Sequence, residues 1–517
     1  MRGLFFFIFI IFICHVSTVW AANWYVDKDA SGSNNGASWT NAWVSFSAIN
    51  WSSVKPGDTI YISGGTTSKI YYEQLDIDAN GSIGSPLTVR VGQDNGHNGT
   101  VIITAPPDQD GIKIQNNQYI TINGGYKNQQ KIKIYNSGLS GVSLSGDTYH
   151  IILTYLDIDH NGYTGSAQGW KRNGILFNVS DYSGKILEIS YCKIHHNYAD
   201  QIFGSNPGGI GHEYSRIVVH HNEIYEMPDD GFETGVAGID FYENLMHGPL
   251  VVGAGGHPDG VAFMNSYVRV WNNRFYNFAT PGFYSNAMLY INPYSSSPRS
   301  VENIEVYNNL IYEEGTADPD NYQRGITFSA QGSINDISNV VIANNTIVSM
   351  PGTGMELYFN GLDSNHVNDV LVVNNIMHNC YTLYGGQALA IGAWNCTIGS
   401  HGDGEDVTFD YNCINGGANG ASAVYYKGSW MSYNYWILIS HANDNGIIVD
   451  PSLDSYYRPD SELDPVVNIG IDLSYIFTFD IENMLRPQGI KWDIGAFEFP
   501  QNGYASVPLP PERLRIK

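Results

Sequence analysis

Gly111-Ile112-Lys113-Ile114, Gly141-Val142-Ser143-Leu144 and Gly174-Ile175-Leu176-Phe177 are copies of one phrase: a glycine, then apolar, any residue, apolar. The phrase returns at Gly231-Phe232-Glu233-Thr234, Gly260-Val261-Ala262-Phe263, Gly325-Ile326-Thr327-Phe328 and Gly354-Met355-Glu356-Leu357, with weaker copies at Gly209-Ile210, Ala287-Met288-Leu289-Tyr290 and Ala388-Leu389-Ala390-Ile391. A second phrase, an apolar alternation closed by asparagine, runs through Ile194-His195-His196-Asn197, Val219-His220-His221-Asn222, Phe241-Tyr242-Glu243-Asn244, Val270-Trp271-Asn272-Asn273, Val306-Tyr307-Asn308-Asn309, Ile342-Ala343-Asn344-Asn345, Val372-Val373-Asn374-Asn375 and Phe409-Asp410-Tyr411-Asn412. By subtraction these asparagines stand 25, 22, 29, 36, 36, 30 and 37 residues apart. A fixed phrase at variable spacing is the mark of a solenoid whose extra residues bulge out as loops. The apolar period of two, with no lasting three-and-four spacing, makes the coils parallel β-strands rather than helical repeats. Asparagines at one bend can stack amide on amide from coil to coil.

The ends differ from the middle, as an open stack requires, because exposed coil edges would pair with other chains. Residues 22–105 read as an N-terminal cap and first coils, 106–445 as the coils proper, 446–499 as a C-terminal capping segment, and the proline-rich 500–517 as a disordered tail. Ahead of them, residues 1–21 combine Arg2, an apolar run from Leu4 to Cys14 and the stretch Val19-Trp20-Ala21, the pattern of an export signal. No later stretch reaches the roughly 18 apolar residues that span a bilayer, so a secreted, extracellular, periplasmic or surface protein without membrane insertion is expected. After the signal, Cys192, Cys380, Cys396 and Cys413 remain, too few for a disulfide scaffold. Cys380 could pair with Cys396 or Cys413, or all could stack unpaired in the core. With 50 acidic against 25 basic residues and a net charge of -25, nucleic acid and anionic membranes are excluded as partners, and an acidic glycan would need a bridging cation.

Aligned on the first phrase, the preceding residues form a column: Asp110, Ser140, Asn173, Gly208, Asp230, Asp259, Asn286, Arg324, Thr353 and Gln387. Neighbouring strands lie about 4.8 Å apart, so Asp230 and Asp259 should face each other at one sheet edge. Carboxylates that close raise one another's pKa or recruit a cation. Asp229, Asp230, Glu233 and Asp259, with Asp200 as a further candidate, have the oxygen chemistry that Ca2+ takes. An isolated Asp-Gly is a turn and nothing more. Two on successive coils, one doubled to Asp229-Asp230 and one within Gly255-Gly256-His257-Pro258-Asp259-Gly260, point to chemistry. His257 can exchange a proton near neutral pH, with Asp259 to orient it. Lys171, Arg172 and Arg324 stand out where cations are scarce; they could hold a uronate carboxylate, and Lys171 or Arg324, like His257, could act as base. Trp170 and Tyr284 could offer a flat face to a sugar ring. His195, His196, His220 and His221 form stacked pairs, read as core or surface rather than as metal ligands.

The opening from Trp24 to Gly65, the asparagine-bearing coils and the ending Asp493-Ile494-Gly495-Ala496-Phe497-Glu498 resemble the right-handed parallel β-helix proteins of the pectate lyase-like superfamily, over nearly the whole chain. The resemblance implies an all-β, right-handed parallel β-helix. Ala199-Asp200 and Asp229-Asp230-Gly231-Phe232 resemble the Asp motifs of calcium-dependent pectate lyases, with Gln201 where the fuller motif has glycine. Four readings stay open: a calcium-assisted polysaccharide lyase, preferred; a glycoside hydrolase using Asp230 and Asp259; a C5 epimerase; and a non-catalytic carbohydrate-binding surface protein. A polysaccharide, acidic in the preferred reading, is the expected partner, and a monomer the expected state.

Overall fold

The computed structural model describes residues 21–500, apart from 165–171, 181–183, 206–213, 250–258, 279–286, 315–322, 360–361, 363–365, 381–386, 393–397, 400–405, 416–422 and 427–428; for a few strand residues it describes the backbone alone. Most coils lay down three short strands, and in a late coil Arg324–Ala343 runs unbroken from one sheet into the next. Tyr149–Thr154 lies in a first sheet, Leu156–Asp159 in a second and Ile175–Val179 in a third, after which Leu187–Ser190 returns to the first. The three sheets are built from parallel pairs, save a closing antiparallel pair of Ala423–Tyr426 with Ser429–Ser432 in the third: Ile151 faces Leu187 in the first, Ile158 faces Ile194 in the second, and Val142 faces Ile175 in the third. The architecture is the right-handed parallel β-helix expected from the sequence. Parallel crossovers take that hand because twisted strands pack back onto their sheet only that way.

Alternation sorts the side chains. In the third sheet Ile112, Val142, Ile175, Ile202, Phe232, Val261, Leu289 and Ile326 stack in one fully buried file, while Lys113, Ser143 and Glu233 alternate with them on the outer face. Each such buried side chain contributes about 1.5–3 kcal/mol, and the file repeats around all three sheets.

The asparagines hold the corner between the first and second sheets. Asn222 Oδ1 accepts the main-chain N–H of Cys192, Asn244 Oδ1 that of Asn222, and the chain of bonds continues through Asn273, Asn309, Asn345, Asn375, Asn412 and Asn443 at 2.8–3.1 Å. Asn197 does not belong to it. It sits at the corner between the second and third sheets, where its Oδ1 accepts the N–H of Asn161, so the 25-residue interval is not a coil. Cys192 takes the missing rung, 30 residues before Asn222.

The residue before each rung from Cys192 to Asn412 adopts the left-handed conformation, with φ between 51° and 57° at Asn272, Asn308, Asn344 and Asn374, which asparagine tolerates better than most residues. Three of these outer asparagines also hold the C-terminal segment. Asn308 Nδ2 donates to the carbonyl of Phe479 at 2.7 Å, Asn344 Nδ2 to that of Asp493 at 3.0 Å, and Asn374 Nδ2 to that of Ile471 at 2.8 Å. Residues 446–499 therefore run along the flank of the late coils. Over the last coils lies the helix Tyr433–Ser440, whose buried Trp436 packs edge-on against Phe409. At the other end Trp24 stacks on Trp43 at 5.2 Å. Cys192, Cys380 and Cys413 are buried free thiols, and Cys396 lies outside the described residues. Among the described residues no helix is long and apolar enough to cross a membrane.

Candidate functional site

Strand register fixes which residues share the column in front of the third sheet. Ile202 pairs with Ile175 on one side and Phe232 on the other, so the coil between Asn173 and Asp230 enters the sheet as Asp200-Gln201-Ile202. Asp200 holds the place that the repeat gave to Gly208, and Gly208-Gly209-Ile210 falls outside the described residues. Val261 pairs with Leu289, which puts Ala287 rather than Asn286 beside Asp259. The column thus reads Asp110, Ser140, Asn173, Asp200, Asp230, Asp259, Ala287, Arg324, and three carboxylates stand on three successive coils.

From Asp110 to Asp259 each side chain of this column accepts from the coil above. Asp110 Oδ1 takes the N–H of Ser140 at 3.1 Å, Asn173 Oδ1 that of Asp200 at 3.1 Å, Asp200 Oδ1 that of Asp230 at 3.1 Å, Asp230 Oδ1 that of Asp259 at 2.9 Å, and Asp259 Oδ1 that of Ala287 at 2.6 Å. The column is a polar ladder, and most of its members do no more than satisfy buried N–H groups. Gly231 is required because a Cβ there would collide with the carbonyl of Gly260, so tightly do the coils meet.

Asp200, Asp230 and Asp259 differ from the rest of the ladder in being ionisable groups that are almost fully buried, at 4%, 1% and 2% exposure. Burial first, then the fields of Asp229 and Glu233, hold the Asp200 carboxyl well above the usual range. Burial, then Asp259, Asp200, Asp229 and Glu233, does the same for Asp230. Glu233, half-buried on the outer face of its strand, completes a group. One carboxylate oxygen from each of Asp200, Asp230 and Glu233 lies within 4.8 Å of the others. Two oxygens across one calcium ion stand about 5 Å apart, so the trio has the size and the hard-oxygen chemistry of a calcium site. Asp229, also half-buried, adds field, and Asp259 joins through the ladder rather than through the trio.

The guanidinium of Arg172 stacks 3.5 Å over the ring of Tyr198, two residues before Asp200, which brings one expected substrate-binding cation to the acidic coil. Arg324 sits two coils beyond Asp259, and its Nε is 2.9 Å from Oε2 of the buried Glu356. His257, Lys171, Trp170 and Tyr284 lie outside the described residues. A second group was not anticipated as a unit: Asp159, His195 and His196 bring ligand atoms within 4.8 Å of one another at the far end of the second sheet. Aligning Ile158-Asp159-His160-Asn161 on Ile194-His195-His196-Asn197 would have found it.

No family model and no curated protein matches the chain. Among solved structures, pectate lyase Pel9A is 15% identical across 92% of this chain and 96% of its own, with a TM-score of 0.42. The PL6 family alginate lyase AlyGC is 12% identical across 81% and 55%, TM-score 0.43, and the GH136 lacto-N-biosidase from Eubacterium ramulus 13% identical across 72% and 64%, TM-score 0.41. These similarities assign no activity and no superfamily to this chain; its own strand pairing gives the parallel β-helix described above.

Proposed function

We propose that the protein is a secreted, calcium-assisted polysaccharide lyase that cleaves uronate-containing glycans by β-elimination. The observation that carries the reading is the convergence of Asp200, Asp230 and Glu233 within 4.8 Å, in a protein whose other charges would repel an acidic polymer. Their oxygens would hold the cation, with Asp229 deepening the negative field. When bound, the cation supplies positive charge beside the substrate carboxylate, which eases loss of the C5 proton. Arg172, which stacks on Tyr198, binds a second carboxylate of the polymer in this reading through its planar fork. Lys171 or His257 takes the C5 proton; the electron pair forms the C4=C5 bond, and the C4–O bond breaks as the 4-linked sugar departs. Arg324, engaged with Glu356, serves charge complementarity rather than proton removal.

Neither Asp230 nor Asp259 suits the hydrolase alternative well. Each is almost fully buried and gives an oxygen to the N–H of the next coil, whereas a hydrolytic pair must flank a scissile bond. The test is a screen of pectic, alginate and glycosaminoglycan polymers with calcium and with chelator, following the ultraviolet absorbance of the unsaturated uronate product. Absorbance that grows with calcium and vanishes in Asp230→Asn supports the lyase. Reducing ends released without that absorbance would favour hydrolysis, and binding without turnover a non-catalytic role.

A further inference from the structure

Asp159 ends a strand of the second sheet in one coil, and His195 is its register partner in the next. His195 Nδ1 lies 3.3 Å from Asp159 Oδ1, His196 Nδ1 lies 4.0 Å from the same oxygen, and the two ring nitrogens are 2.8 Å apart. The far side of each ring is already committed. His195 Nε2 is 3.2 Å from Asp157 Oδ1, and His196 Nε2 is 2.7 Å from Glu226 Oε2. An ionised carboxylate only accepts hydrogen bonds, so each Nε2 carries the hydrogen, and in a neutral imidazole that leaves Nδ1 as a lone pair. Two nitrogen lone pairs and a carboxylate oxygen therefore face one point, an arrangement that only a positive species between them resolves.

That species is a proton or a metal cation. A proton bridges only two of these three atoms, whereas a cation can take all three. The donor set instead matches a cation. In a tetrahedral site with bonds of about 2.0–2.1 Å, ligand atoms stand about 3.3–3.4 Å apart, midway in the range found here. A carboxylate behind each ring is the outer arrangement that fixes the tautomer of metal-bound histidines. Lys133 pairs with Asp159 through Oδ2, which leaves Oδ1 turned to the histidines; His160 shares that oxygen from the side and stacks on His196 at 4.6 Å. Asp159 and His195 are buried, whereas a quarter of the His196 side chain is open to solvent, which gives an ion a way in.

We propose that Asp159, His195 and His196 bind a divalent transition-metal cation of the zinc type through Asp159 Oδ1 and the two Nδ1 atoms, with solvent in the fourth position. The site is separate in chemistry from the all-oxygen trio and does not depend on the lyase reading. It clamps two coils together a few residues before Asp200 and so stiffens the corner from which the acidic column starts. His220 and His221 provide a built-in comparison. Their Nδ1 atoms are also 2.8 Å apart and His221 Nε2 is 2.6 Å from Glu243, yet among the described residues no carboxylate completes a trio with them.

The full chain, stripped with chelator and held in excess calcium, is titrated with Zn2+ by calorimetry and with Cu2+ by electron paramagnetic resonance. About one equivalent of Zn2+ should bind, with affinity falling more than about tenfold in His196→Gln and in Asp159→Asn and unchanged in His221→Gln and Asp230→Asn. The copper spectrum of the unaltered protein should show coupling to two nitrogens, a readout that needs no variant to fold. No stoichiometric uptake, a copper spectrum without nitrogen coupling, or full affinity in His196→Gln and Asp159→Asn would overturn the assignment.

Discussion

Asp230 Oδ1 accepts the main-chain N–H of Asp259 at 2.9 Å, so a residue proposed to hold a cation is also a rung between two coils. Asparagine preserves that acceptor and removes the charge. Asp230→Asn should therefore fold, melt no lower than the parent protein in chelator, and lose lyase activity together with its response to calcium. Asp230→Ala should in addition lose about 1–3 kcal/mol, because the buried N–H of Asp259 is left unpaired. Denaturant unfolding and turnover of the two variants separate the roles, and an active Asp230→Asn would remove the trio from the mechanism.

The raised carboxyls of Asp200 and Asp230 give stability an unusual pH slope. A carboxyl with a higher pKa folded than unfolded binds more protons in the folded state, so stability falls as pH rises from about 4 through the raised value. In chelator, the parent protein should lose melting temperature relative to Asp230→Asn between mildly acidic and neutral pH. Calcium should reverse the loss, raising the melting temperature more at pH near 8 than near 5 and releasing protons as it binds. A difference profile that rises with pH would contradict the cause assigned here.

The coil itself was readable because its two phrases repeat the physics of every layer, a glycine where coils meet and an asparagine where the chain turns. What escaped were places where different residues do the same job. Gln201 stands where other coils have glycine, so Gly209 drew the repeat away and Asp200 looked like an outlier instead of the first of three stacked acids. Ala287-Met288-Leu289 is buried throughout and fits two registers one residue apart; only pairing with Val261 settles which. Asn197 and Asn222 end the same phrase at different corners. The Asp159 cluster was hidden because Asp159 lies 36 residues before His195 and only two of the three members share a residue type. The stretches of sequence between the repeated phrases obey no period, and His257, Lys171, Trp170 and Tyr284, which fall in them, lie outside the described residues.

A rung in the middle of the asparagine ladder should be costly to remove. Asn345 Oδ1 accepts from both the main-chain N–H and the Nδ2 of Asn309 at 3.0 Å, while its own Nδ2 donates to the carbonyl of Val306 and to Asn375 Oδ1 at 2.9 Å. Asn345→Ala leaves these buried partners unmatched at about 1–3 kcal/mol each, so a loss of several kcal/mol is expected. Urea unfolding measures it, and a loss below about 1 kcal/mol would mean that the ladder is ornament on a core that holds without it.

Arg486 is the buried fastening of the C-terminal segment. Its Nη1 is 2.8 Å from Glu498 Oε1 with both side chains fully buried, and its Nη2 reaches the carbonyl of Gly495 at 2.9 Å and Asn308 Oδ1 at 3.1 Å. Arg486→Met strands the Glu498 charge in the interior and should cost about 3–5 kcal/mol, with earlier proteolysis between residues 446 and 499. Replacing both partners, Arg486→Met with Glu498→Leu, should regain a large part of that loss, since well-packed apolar groups often match a buried ion pair. Equal losses in the single and double variants would show that the arginine holds the flank through Asn308 and Gly495, and that the ion pair with Glu498 contributes nothing net.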